Sequence, residues 1–176
     1  SLGLVGSEMC IRDRSNPFGT PAKVEWLEEW IADHPERPIV ITSKFRTFVN
    51  KWLRPMAPKS TVVGGMKPEE LKSALKSFED TGILVGTIGA IKESLNLQRA
   101  STIIVMDSAP SATDEYQLSK RIHRKGQDNP CEIIHLIGKI RGSGRYTIDR
   151  LLRKRIVKNI SDAQLVNEFV KEVQGW

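Results

Sequence analysis

Short apolar runs rich in β-branched residues alternate along this chain with segments that are apolar every third or fourth residue. No other feature restricts the fold as much. The runs are Pro38–Ser43 (PIVITS), Thr61–Gly64, Ile83–Thr87, Thr102–Asp107 and Glu132–Ile137. Their apolar character is continuous, which marks strands buried on both faces. Between them, helical faces are formed by Val24, Leu27 and Ile31, by Phe45, Phe48, Val49 and Trp52, by Leu71, Ala74, Leu75 and Phe78, and by a segment from about Thr113 to His123. Strands that alternate with helices need crossover connections, so the expectation is an α/β fold with a parallel sheet covered on both faces. Thr20 is placed to cap the first helix with Pro21 at its first position, and Pro35 to end it near His34. After the last strand comes a Gly-, Ser- and Arg-containing loop, 138–145. Ile148, Leu151, Leu152 and Ile156 then stand at helical spacing, and Ser161 opens a final amphipathic helix through Leu165, Val166, Phe169 and Val173.

The 176 residues suit one domain, at roughly 100–200 residues per domain. The first fourteen, SLGLVGSEMCIRDR, show neither periodicity. They resemble the translation of a transposon adapter used in sequencing libraries, with Met9-Cys10-Ile11-Arg12-Asp13 as its core. Residues 1–14 are therefore expected to be an artefact or a disordered tail, and the chain to be the C-terminal piece of a longer protein. No apolar run approaches the roughly 18 residues that cross a bilayer, so no membrane partner is expected. The net charge of +6 favours a polyanionic partner, but only modestly. Cys10 and Cys131 form neither a disulfide framework nor a zinc pattern. These features point to a reducing, intracellular location, cytoplasmic or with the nucleoid.

Several chemistries lack their motifs. There is no GxxxxGK[ST] loop, no GxGxxG after a strand and no Ser/His/Asp arrangement. His34, His123 and His135 have no ligand spacing, and no metal site is expected within the chain. His135 reads as a packed core histidine. Asp107 stands at the carboxyl end of a strand, where α/β sheets hold ligands, or else caps a turn. Glu115–Gln127, EYQLSKRIHRKGQ, is the informative stretch. Arg121 and Arg124 are three apart on an expected helix and so share a face. Two such guanidiniums can grip phosphate oxygens and neutralise a transferring phosphoryl group. The alternative is a solvated basic helix end that complements the dipole.

Gln117, Arg121, Arg124, Gly126 and Gln127 together resemble motif six of Swi/Snf-type superfamily 2 helicases, Q-x-x-G-R-x-x-R-x-G-Q, with Lys120 in place of the glycine. The segment 83–100, ILVGTIGAIKESLNLQRA, is similar to motif five, and 39–45, IVITSKF, to motif four. Gly64-Gly65 and the helix ending at Phe78 are similar to the block between them. Asp107 precedes Gln117 by ten residues, as the family's aspartate does. The resemblance runs in order from about Lys23 to Gln127.

The resemblance implies a RecA-like three-layer sandwich with a mainly parallel central sheet over residues 15–145, followed by a C-terminal helical brace over 146–176. The chain is then the second lobe of a DNA-dependent ATPase that moves along or remodels duplex DNA. Its implied partners are double-stranded DNA and the N-terminal RecA-like lobe of the same protein. ATP with Mg²⁺ is expected between the lobes, with the phosphate loop and the Mg²⁺ ligands on the first lobe, so this chain alone is expected to be inactive. Arg121 and Arg124 take the role of arginine fingers. Gln117, Gly126, Gln127, Asn96 and Asp107 belong to the ATP site or its coupling. Ser43, Lys44, Thr87 and Lys92 face nucleic-acid phosphates.

The chain departs from the family's pattern at Ile91-Lys92, where a double glycine is usual, at Ser94, and at Pro110-Ser111-Ala112, where Trp-Asn-Pro is usual. These departures indicate a divergent branch, phage or bacterial. Two other readings stay open: a strand-separating helicase lobe, and a nucleic-acid-binding module without ATPase activity.

Overall fold

All five residues of the strand Ile39–Ser43 are buried, so this strand has helices against both its faces. In the computed structural model it lies inside a sheet of six parallel strands. The structure describes residues 3–11, 20–92, 95–107, 111–124, 126–127, 129–140, 147, 149–150 and 152–153. In chain order the elements are β1 (Gly3–Ile11), α1 (Ala22–Asp33), β2 (Ile39–Ser43), α2 (Arg46–Phe48) running into a π-helical turn (Val49–Leu53), β3 (Thr61–Val62), α3 (Pro68–Thr81), β4 (Ile83–Thr87), α4 (Ile88–Lys92), β5 (Thr102–Val105), α5 (Ala112–Ile122) and β6 (Glu132–Ile140). The strand order is β1-β6-β5-β2-β4-β3.

Alternate residues of the central strands feed two separate cores. Val40, Leu84, Ile103 and Ile133 meet Ala74 and Phe78 of α3, Ile88 and Ile91 of α4, and Leu118 and Ile122 of α5. Ile39, Ile41, Val85, Ile104 and Ile134 meet Val24 and Leu27 of α1, and Val49 and Leu53 of the π-helical turn. The period of two in a strand makes this division possible. The result is the three-layer α/β sandwich with a parallel sheet that the sequence implied. Among the described residues no helix is long and apolar enough to cross a membrane.

Local chemistry sets the element ends. Ser111 caps α5 by accepting from the Asp114 amide at 3.1 Å. Gly82 ends α3 at φ 75°, a conformation that costs glycine little. The cap of α1 is Pro21 rather than Thr20, and no side chain caps it.

One expectation is corrected by the main chain. Gly3–Ile11 is not a tail but pairs with β6 along its full length, from Gly3 opposite Glu132 to Ile11 opposite Ile140. Without it β6 would be the sheet edge and present a row of unpaired N–H and C=O groups. Ladder pairing uses only main-chain groups, so a segment without strand periodicity can supply it. The expected final helix and the cations from Lys154 onward lie outside the described residues.

Gly86 in β4 shows how closely the layers meet. A Cβ there would lie 2.4 Å from the Val62 carbonyl oxygen of β3 and 3.1 Å from Ile91 of α4. Gly86→Ala is expected to destabilise the chain by about 1–3 kcal/mol through overpacking. Gly89→Ala on α4, where a Cβ meets nothing within 4 Å, should be neutral or slightly stabilising. Urea denaturation of both variants checks the contrast, and equal midpoints would refute it.

Candidate functional site

The chain leaves β2 toward β4 and β3 on one side, and reaches β5 and β6 on the other. The crevice at the carboxyl ends of β2 and β5 is thus the switch point where open α/β sheets place ligands. Ser43 ends β2, lies opposite Thr87 at the end of β4, and donates its hydroxyl to Asp107 just beyond β5. The same Ser43 oxygen accepts from the Phe45 amide at 3.1 Å, which turns the chain into α2. Lys44, between them, is exposed with its Nζ 4.7 Å from the centre of the Phe45 ring. Thr87 accepts from the Ala90 amide at 3.4 Å and so opens α4. Ser43, Lys44, Thr87 and Asp107 are therefore brought to one edge. Asp107, expected to belong to the ATP site or its coupling, stands beside Ser43.

Lys92 ends α4 on the same side of the molecule but is already engaged. Its Nζ lies 2.5 Å from Asp114 Oδ1. This hydrogen bond, outweighing partial burial and aided by Ser111, holds the Asp114 carboxyl below the usual range.

The second group gathers where α5 ends. Leu95 and Leu97 are buried and hold the exposed Asn96 between them. Gly126 has φ +93°, and a Cβ on it would fall 2.5 Å from the Gln98 amide nitrogen. The backbone conformation calls for glycine, while the Gln98 side chain could swing away from a Cβ. The Gln127 amide nitrogen donates to the carbonyls of Gln98 at 2.8 Å, Ala100 at 3.0 Å and Ile122 at 3.4 Å. One side chain thus fastens the loop before β5 to the end of α5. Gln117 is exposed in the middle of α5.

The two arginines differ from the helical-face expectation. Helix α5 stops at Ile122 with His123 as its cap, so only Arg121 is helical. Arg124 lies beyond the cap, exposed, with its Nε donating to the Lys120 carbonyl at 3.3 Å. Arg121 is half-buried, and its Nε is buried without a hydrogen-bond partner among the described residues. A buried donor left unpaired costs about 1–3 kcal/mol.

A half-buried charge cluster joins α5 to the C-terminal segment. Arg153 donates to both Glu115 oxygens, at 2.7 and 2.6 Å. His135 Nε2 lies 3.2 Å from Glu115 Oε1, at ion-pair distance but outside hydrogen-bond alignment. Burial pushes the Glu115 carboxyl up, but His135 and Arg153 outweigh it and hold the group below its ordinary value. Asp149 accepts from Lys23 at 2.5 Å and from the Gly138 amide at 3.0 Å, which ties the segment also to α1 and β6. Sequence reasoning missed Lys23, Asp114, Glu115 and Asp149. Only Asp114 carried a local signal, the Ser-x-x-Asp capping pattern. The Cys131 thiol is buried and its pKa is raised by that burial.

Residues 22–126 match the family model of the helicase conserved C-terminal domain, and the chain belongs to that family. It is the C-terminal RecA-like lobe of the Swi/Snf type within superfamily 2. The chain is similar to Chromodomain-helicase-DNA-binding protein 1-like of Danio rerio, 30% identical over 99 residues that make up 55% of this chain and 9% of the relative. It is also similar to ATP-dependent helicase BRM of Arabidopsis thaliana, 33% identical over 72 residues, 39% of this chain and 3% of the relative. The chain thus spans about a tenth or less of these relatives. Among solved structures, the C-terminal part of the Fun30 ATPase domain shares the fold, with a TM-score of 0.65 at 19% identity over 81% of this chain and 48% of that one.

The Glu115 cluster fixes the sign of an acid response. A carboxyl whose folded value lies below its ordinary 4.5 adds stability above that pH. It loses that stability as pH falls through the folded value. Glu115→Gln is expected to cost about 1 kcal/mol at neutral pH, because the half-buried Arg153 keeps only weaker partners. It should also flatten the loss of stability between pH 5 and 3, since that part of the proton uptake is gone. Urea denaturation across this range is the measurement. Parallel curves for the two proteins would show that Glu115 is not the acid-sensitive group.

Proposed function

We propose that this chain is the second lobe of a DNA-dependent ATPase that moves along or remodels duplex DNA inside the cell. In this reading it contributes Arg121 and Arg124 as arginine fingers to an ATP site shared with a first lobe. The observation that carries the reading is the pair of arginines at the end of α5, within a segment that matches the helicase family. One of them has a buried Nε without a partner among the described residues. A donor held unpaired inside the lobe is poised for an acceptor that arrives from outside, and phosphate oxygens are such acceptors.

Each group of residues then has a task. Gln127 and Gly126 hold the Asn96 loop against the end of α5, so the arginines and Asn96 move as one unit. The guanidiniums steady negative charge on the phosphoryl group as it transfers. At the other edge, Ser43, Lys44 and Thr87 meet DNA phosphates, contacts that position the duplex without reading its sequence. The Ser43–Asp107 hydrogen bond links that edge across β2 and β5. Lys92, neutralised by Asp114, contributes less there than its charge suggests. Mg²⁺, when bound, would neutralise negative charge on the phosphates. Among the described residues no three His, Cys, Asp or Glu converge on a cation position, and the Mg²⁺ ligands are assigned to the first lobe.

In the two-lobe protein, Arg124→Ala and Arg121→Ala should each lower DNA-stimulated kcat by about 10³-fold or more while leaving KM for ATP nearly unchanged. The double variant should be less than additive. Turnover at saturating ATP and DNA, with Lys72→Ala on α3 as control, decides the matter. Wild-type turnover in both arginine variants would reduce the end of α5 to a basic surface. Strand separation in the same preparation would favour the helicase alternative, and DNA binding without hydrolysis the binding module.

Residues 1–14 are proposed to be foreign to the domain, with β1 a replaceable edge. A chain that begins at Ser15 should fold with the same cooperativity and a similar urea midpoint. Loss of cooperative unfolding would make the segment part of the domain.

A further inference from the structure

Helix α5 sends its side chains to three places. Leu118 and Ile122 enter the core, Asp114 and Glu115 meet Lys92 and Arg153, and Tyr116, Gln117 and Lys120 face outward. Tyr116 is 62% exposed, more than any other large apolar side chain among the described residues. The Lys120 Nζ lies 5.1 Å from the centre of its ring. The two residues are one helical turn apart, so the ammonium leans back along α5, away from Arg124. Attraction to a ring face takes up none of the three N–H donors of an ammonium.

Lys120 is also tied to both arginines. It directly precedes Arg121, and its carbonyl accepts from Arg124 Nε at 3.3 Å. That bond uses Nε and not the two Nη groups of Arg124. In the pattern that this segment resembles, the position of Lys120 is a glycine, so no side chain of that pattern reaches out from it. Here the position carries a cation, and the neighbouring ring gives that cation a direction.

We infer that Lys120 is a third cation of the nucleotide site, meeting a phosphoryl group of ATP that is not transferred, with Tyr116 as its positioning residue. The inference rests on the ATPase reading above and deepens it. Lysine binds phosphate as a point charge and needs no fork geometry. The arginines at the end of α5 are assigned to the group that moves. The Lys120 ammonium leans back from them by a turn, about 5.4 Å of helix, and so reaches a different part of the phosphate chain. Charge on that part is present before and during the reaction. A contact of equal strength in both states lowers KM and leaves kcat unchanged. The Tyr116 ring holds a long side chain in one direction, which reduces the ordering cost of binding.

The test uses the two-lobe protein. Affinity for a non-hydrolysable ATP analogue is read by calorimetry, and turnover is read separately. Lys120→Ala should weaken the analogue about tenfold, raise KM for ATP alike and leave kcat within about twofold. Tyr116→Leu should weaken the analogue about two- to fivefold, while Tyr116→Phe, which keeps the ring, should bind it as wild type does. Lys72→Ala on α3 is the control for charge alone, and circular dichroism confirms that each variant is folded. Unchanged analogue affinity in Lys120→Ala, beside lowered kcat in Arg121→Ala and Arg124→Ala, would overturn the inference and leave the ATPase reading standing. An equal loss in Lys72→Ala would mean general charge and would also overturn it. Equal weakening by Tyr116→Phe and Tyr116→Leu would remove the ring from the site. Wild-type turnover in both arginine variants would overturn the reading and the inference together.

Discussion

The structure depends on keeping β2 out of water on both faces. A parallel strand with buried residues at every position must have helices above and below it, and its neighbours must supply every main-chain partner. Here β4 and β5 flank β2, while α1 and the π-helical turn cover one face and α3, α4 and α5 the other. Once β2 is central, the chain must depart from it in opposite directions. A crevice then opens at its carboxyl end, between segments that are free of the sheet's own hydrogen bonds. Ser43 and Asp107 face each other across that opening because they are the residues that end this confinement.

The same architecture keeps the two groups of candidate residues apart. Strands deliver Ser43, Thr87 and Asp107 to one edge, and helix α5, which starts after that edge, carries Arg121 away to its far end. The helices are short, so a displacement at one end reaches the other without much bending. Gln127 takes part in this by satisfying three carbonyls that would otherwise need separate partners. It makes the loop before β5 and the end of α5 one body. In the proposed function these two groups would face nucleotide and nucleic acid, and their placement on opposite ends of rigid elements is what mechanical coupling between two ligands requires.

What was legible in the sequence follows the range of the interactions. β4 spans Ile83–Thr87 as the apolar run indicates, and α3 presents Ala74 and Phe78 to the core as their spacing indicates. These are properties of neighbouring residues. Helix α4 was not legible, because five residues give little more than one turn of periodicity. Around Phe45, aromatic spacing suggested a buried helical face, but Phe45 is 51% exposed, since it precedes α2 as its cap. β1 left no trace because its pairing is carried by main-chain groups. In the site, motif residues were recognisable as a string, but the pairing of Lys92 with Asp114 joins residues 22 apart and that of Glu115 with Arg153 residues 38 apart. No local pattern contains such information.

The Glu115 cluster gives the C-terminal segment a mechanical place. Glu115 is on the first half of α5, the helix that ends in Arg121, and its carboxylate is gripped by Arg153 in a two-point contact. Both bonds come from one guanidinium nitrogen, Nη1, which sits between the two carboxylate oxygens. Asp149, one turn earlier, holds Lys23 of α1 on the other face of the sheet. The segment thus reaches both helical layers, and any force on it is felt by α1 and α5 at once. Half-buried ion pairs such as these add little net stability, but they tie the segment to fixed points on both layers. One such tie acts on the first half of the helix whose last turn carries Arg121.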